Sequence, residues 1–170
     1  MKPINLITIV ILLSVAIGCG KDHGQNPAPE FRLFLTPAEN TVHSDSTILI
    51  TVYIEGVDDL FAASFDLIFD TSIVATGGLN IPPSSLIGSG SSISHFGIIP
   101  GGISIGIGRI QTPSDDNVQG SGPLANIAFR GLQQGRTIVD IQNVSIIDES
   151  GQSNSNLSDL ILIGGNIDVN

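Results

Sequence analysis

From residue 31 onward, apolar and polar positions alternate with period two, and no stretch sustains the i, i+3, i+4 spacing of a helix over three turns. Phe31 to Thr36 opens the pattern and Pro37 closes it. Ile48, Ile50, Val52 and Ile54 then point one way while Leu49, Thr51, Tyr53 and Glu55 point the other, and Gly56 ends the run. Ala63, Phe65, Leu67 and Phe69 form the next inward set, opposite Ala62, Ser64, Asp66 and Ile68. Ile73 to Ala75 predicts a brief strand, and the Gly-, Pro- and Ser-rich residues 77 to 94 read mostly as loop.

Further on, Ile103, Ile105 and Ile107 mark a strand whose other side is Ser104, Gly106 and Gly108, a glycine face that predicts close approach by another backbone or side chain. Leu124 to Arg130 alternates with Ala125, Ile127 and Phe129 inward, residues 137 to 147 predict one long, bent strand, and Ile161 to Val169 the last. Eight or nine short strands with glycine-rich turns predict an all-β, two-sheet sandwich with a jelly-roll or Greek-key path. Absence of an internal repeat argues against a propeller or β-helix.

The N-terminus has a different pattern. Lys2 precedes a run from Ile4 to Ile17 interrupted only by Asn5, Thr8 and Ser14, and the polar residues Gly20 to Asn26 follow at once. The run is short of the about 20 residues a membrane-spanning helix needs, and it fits an export-signal core. Ala16-Ile17-Gly18-Cys19 resembles the bacterial lipobox, with Ala16 where the family usually has Leu. The resemblance implies a signal peptide at 1–18, diacylation of Cys19, and a flexible tether at 19–30 carrying a domain at 31–170. Gly20 after the cysteine, rather than the Asp that retains lipoproteins at the inner membrane, points to the outer membrane or cell surface. The membrane is then met through the lipid alone.

Loss of Lys2 leaves five basic against sixteen acidic side chains, a net charge of −11. Phosphate binding needs clustered Lys and Arg, so nucleic acid is excluded as a partner. Cys19 is the only cysteine, which leaves no disulfide and no thiolate metal or catalytic site in the domain. Gly102-Ile103-Ser104-Ile105-Gly106 satisfies the G-x-S-x-G string of hydrolases, but that motif needs a sharp strand-to-helix turn and here the isoleucines alternate straight through. His23, His43 and His95 form no metal or acid–base spacing. Asp58-Asp59, Asp115-Asp116-Asn117 and Asp148-Glu149 are loop carboxylates without the spaced acidic pattern of a calcium loop. The expectation is no catalytic residue, no metal and no cofactor.

Residues 31–170 also resemble a cohesin domain, the receptor module that captures dockerins. Residues 50–61 (ITVYIEGVDDLF) resemble that family's "VxVxIxGVxNLxG" strand, and residues 65–74 (FDLIFDTSIV) its "FxLxYDPxxL" segment, with Phe69 for Tyr and Thr71 for Pro. Residues 120–129 (GSGPLANIAF) resemble "GxGxLxxIxF", Asp148 to Gly151 a "DxxG" turn, and Gly165 to Val169 the closing "GxIxV". The ordered set carries the resemblance, since each piece alone suits any sandwich strand. It implies a nine-stranded jelly roll that binds a helical dockerin through one flat sheet face, including the outward side of the third strand and its neighbours. Carried over by position, this nominates Ser64, Asp66, Ile68, Asn126 and Arg130, with Ile68 expected to join Leu124 and Ala128 in an apolar patch. The implied function is a non-catalytic, lipid-anchored receptor for dockerin-bearing proteins such as polysaccharide-degrading enzymes. The alternatives are direct carbohydrate binding, disfavoured because Tyr53 is the only outward-facing stacking candidate, and a purely structural envelope domain.

Overall fold

A computed structural model describes residues 30–82, 84–88, 92–110, 118–154 and 157–170. The signal segment, Cys19, most of the tether and His23 lie outside the described residues, as do Asp115, Asp116 and Asn117. Among these residues eleven strands form two sheets. They are β1 (Arg32–Thr36), β2 (Glu39–Val42), β3 (Thr47–Val57), β4 (Ala62–Ile68), β5 (Val74–Asn80), β6 (Ser92–Ile99), β7 (Gly102–Arg109), β8 (Gly120–Gly131), β9 (Gly135–Ile147), β10 (Ile161–Ile163) and β11 (Gly165–Val169). The five-stranded sheet runs β10-β1-β3-β8-β5 and the six-stranded sheet β2-β11-β9-β4-β7-β6.

The predicted two-sheet sandwich is present, with eleven strands among the described residues against the eight or nine expected: Glu39–Val42 and Ser92–Ile99 are additional, and the last run, Ile161 to Val169, splits in two. The chain changes sheets after β1 and again after β10, so β1 and β10 pair in one layer while β2 and β11 pair in the other. Pro37 and Ala38 make the first break and Gly164 the second. At Gly164 a Cβ would lie 2.4 Å from the Val139 carbonyl oxygen, so the crossing exists only where the side chain is a hydrogen. Residues 77 to 94, expected to be mostly loop, instead contribute the end of β5 and the start of β6. Their apolar positions are sparse because both are edge strands with little to bury.

Alternation read from the sequence fixes the inside. Leu33, Ile50, Val52, Ile54, Ile127 and Phe129 from one sheet meet Phe65, Leu67, Ile103, Ile105 and Val139 from the other, all almost wholly shielded from solvent. Phe69 packs edge-to-face on Phe129 at 5.3 Å, joining the layers. β9 carries the expected bend as a bulge. Opposite the two-residue step from Ser64 to Asp66, β9 takes three residues from Gln142 to Ser145, with Asn143 in the left-handed region at φ 51°.

Candidate protein-binding face

The outward surface of β9, β4, β7 and β6 is a flat grid that the strand registers define. One row holds Asp140, Ile68, Gly102 and Ile99; the next holds Gln142, Asp66, Ser104 and Gly97. A third holds Ser145, Ser64, Gly106 and His95, and the last Ile147, Ala62, Gly108 and Ile93. The middle rows are polar. Asn143 Nδ2 donates to Asp66 Oδ2 at 2.7 Å, and Gln142 Nε2 donates to Asp140 Oδ2 at 2.9 Å. The bulge at Asn143 is what places an amide beside Asp66, since a regular β9 would turn that side chain inward.

At the apolar end the face dips into a depression of about 450 Å³. Gly106 and Gly108 floor it, and Ala62, Ile93, His95 and Ile147 stand around it. Close approach by another backbone or side chain was expected on the glycine face; among the described residues Gly106 and Gly108 meet none. A Cβ on Gly106 would meet nothing nearer than His95 Cβ at 3.8 Å, and one on Gly108 nothing nearer than Ala62 Cβ at 3.5 Å. Only Gly102 is crowded, its notional Cβ 2.0 Å from the Leu67 carbonyl oxygen.

The five nominated residues do not share a face. Ser64, Asp66 and Ile68 lie on β4 in this grid, whereas Asn126 and Arg130 lie on β8 in the opposite sheet. Asn126 Oδ1 accepts from Thr51 Oγ1 at 2.8 Å, and Arg130 stands 3.8 Å from Asp45 at the exposed surface. The expected patch of Ile68 with Leu124 and Ala128 does not form, because Leu124 is buried in the core and Ala128 faces outward on the far sheet. β4 is flanked by β9 and β7, so Gln142, Asn143, Ser145 and His95 take the places that Asn126 and Arg130 were expected to fill. The sequence signal for them was faint: Gln142 and Asn143 break the alternation with two successive exposed residues.

Other candidate chemistry is placed as follows. Ser104 sits mid-strand in β7, paired with Asp66 and Gly97, with no turn beneath it for a nucleophile elbow. Asp148 Oδ1 accepts from the Ser150 hydroxyl and from the amides of Ser150 and Gln152, and these bonds hold its carboxyl below the ordinary carboxylate value. That carboxylate is a turn cap. Among the described residues no three His, Cys, Asp or Glu side chains converge on a metal position. On the five-stranded sheet Phe34 lies beside Tyr53, ring centres 5.2 Å apart, so Tyr53 is not the lone outward ring. The two planes are inclined by 36° and the Arg32 guanidinium lies 5.6 Å from the Phe34 ring centre, so the pair presents no single plane to a sugar.

A two-sheet jelly roll whose terminal strands cross between layers, with one flat mixed face, defines the class. Comparison with solved structures gives it a name: the domain has the cohesin fold. A non-cellulosomal cohesin from Archaeoglobus fulgidus superposes with a TM-score of 0.63 at 17% identity, covering 84% of this chain and 91% of that one. The sixth cohesin of scaffoldin B from Acetivibrio cellulolyticus, solved with a dockerin, gives 0.65 at 13% identity over 83% and 99%. A cohesin from Clostridium acetobutylicum gives 0.62 at 17% identity over 82% and 92%. No family model and no curated protein sequence matches the chain.

Proposed function

We propose that this protein is a non-catalytic receptor that holds dockerin-bearing proteins on the outer face of β9, β4, β7 and β6. The observation that carries the reading is that face itself: a flat, solvent-open sheet surface mixing aliphatic and hydrogen-bonding side chains, on a fold whose solved examples include complexes with dockerins. Its central contributors are Ser64, Asp66, Ile68, Gln142 and Asn143. Asn126 and Arg130, on the opposite sheet, stand outside it.

The reading extends to location. The lipobox resemblance at Ala16 to Cys19 supports export and lipid anchoring, so the receptor is displayed outside the cytoplasm on a short tether, its cargo enzymes acting on polysaccharides. Full-length protein in mild detergent, titrated with dockerin modules encoded in the same genome, tests the first claim. Binding that Ser64→Arg abolishes and Arg130→Glu leaves intact is expected. Failure of every dockerin to bind ends the receptor reading and leaves the fold untouched. Palmitate labelling in cells tests the anchor: label lost in Cys19→Ser, with release of the protein from membranes, is expected, and unchanged labelling overturns it.

A further inference from the structure

We infer that the depression over Gly106 and Gly108 takes one aliphatic side chain from a partner helix, and that Asp66 takes a Lys or Arg about two turns along the same helix. The inference rests on the dockerin-receptor reading and specifies what on the partner is read.

The glycines are the first ground. Glycine weakens a strand interior, so a strand keeps it where space or backbone conformation demands it. Neither applies at Gly106 or Gly108: a side-chain carbon would meet only ordinary contacts at 3.8 and 3.5 Å. Internal packing therefore leaves these two hydrogens unexplained, in contrast to Gly102, where a backbone oxygen stands in the way. What the pair does create is an outward hollow beside Ile93, a large aliphatic side chain left 65% exposed. At about 450 Å³ the hollow has ample room for one protruding aliphatic side chain.

Charge is the second ground. Asp66 and Asp140 place two carboxylates on the grid, and they accept hydrogen bonds from the uncharged amides of Asn143 and Gln142. Arg109 and Arg136 stand at opposite ends of the face, and Arg136 already lies 3.7 Å from both Glu39 and Asp168. On a chain of net charge −10, the middle of this face is complementary to a cation.

Spacing ties the two together. Ala62 at the hollow and Asp66 are four residues apart on one straight strand, about 13 Å at the usual rise. An α-helix covers that length in about nine residues, and positions seven or eight apart on one exposed stripe, about 11–12 Å apart, come within side-chain reach of both groups. The ScaB dockerin of Acetivibrio cellulolyticus, solved in complex with a cohesin, has a C-terminal helix.

The test is a display library of dockerin modules randomised on their exposed helix positions and selected against the full-length protein in detergent, then against Gly108→Val and Asp66→Asn. Enrichment of Leu, Ile or Met at one position with Lys or Arg seven or eight residues away is expected, with affinity falling at least tenfold on Gly108→Val. Replacing the partner's aliphatic residue by Ala should recover binding to Gly108→Val, a filled hole meeting a shortened knob. Asp66→Asn should remove the preference for the cation and flatten the salt dependence. Binders that lack this pair, or that tolerate Gly108→Val unchanged, overturn the inference while the receptor reading stands. A library from which nothing binds the unaltered protein overturns the receptor reading, and this inference falls with it.

Discussion

The bulge in β9 makes a quantitative prediction at Asn143. Its backbone sits at φ 51°, where a residue with a Cβ is strained by about 1–2 kcal/mol, Asn being among the side chains that tolerate it best and Gly bearing no penalty. Its side chain donates to Asp66 at 2.7 Å in an exposed setting, a contact of about 0.5–1 kcal/mol. Asn143→Ala loses the bond and places at this φ a side chain that tolerates it less well than Asn, so it should cost about 1–2 kcal/mol. Asn143→Gly also loses the bond but relieves the strain, and should fall within about 0.5 kcal/mol of the parent. With a urea slope of about 1–3 kcal/mol/M, the first corresponds to a midpoint lowered by about 1 M and the second to almost no shift. Urea titration by circular dichroism reads both, and pairing Asn143→Gly with Asp66→Ala isolates the side-chain contact as a coupling of about 0.5–1 kcal/mol. Equal losses for the Ala and Gly variants would refute the left-handed bulge, and zero coupling would refute the contact.

Two further outcomes follow from the packing and the turns. Gly164→Ala would put a carbon 2.4 Å from the Val139 oxygen where the last run changes sheets, so it should destabilise by about 1–3 kcal/mol in thermal or urea melts, whereas Gly106→Ala, in open space, should stay within about 0.5 kcal/mol; equal effects would contradict the crossing. Asp148 and Asp70 are both held below the ordinary value of 3.8 by hydrogen bonds from nearby Ser residues. Such groups stabilise the folded state above pH 3.8, and the contribution is lost as pH falls through their lowered values. The stability gap between parent and Asp148→Asn should thus be constant from pH 7 to 5 and close in the acid range below 3.8; a gap that widens on acidification would refute the cap.

Inside and outside were legible along almost every strand, because period-two alternation is a local consequence of the pleat and needs no knowledge of the partner strand. Ala63, Phe65 and Leu67, and again Ile103, Ile105 and Ile107, are buried where alternation put them. Edge segments such as Glu39–Val42 and Ser92–Ile99 were illegible for the converse reason: with one neighbour and little to bury, the first carries a single large apolar residue and in the second Ile93, Phe96, Ile98 and Ile99 follow no period of two.

Which residues share a surface was a different matter. Ser64 and Asn126 both read as outward polar positions, and both are outward, yet they lie on opposite sides of the molecule. Alternation specifies a face of a strand and is silent about which sheet the strand joins, since that choice is made by pairing between residues more than seventy apart, as when Asp66 meets Gln142 and Asn143. The sequence by itself determined an all-β sandwich, its core and, through Ala16 to Cys19, the expectation of an anchor. Tertiary structure alone decided that β4 lies between β9 and β7, that two glycines open a hollow, and that a bulge carries Asn143 to Asp66, because each depends on long-range contacts that no local pattern encodes.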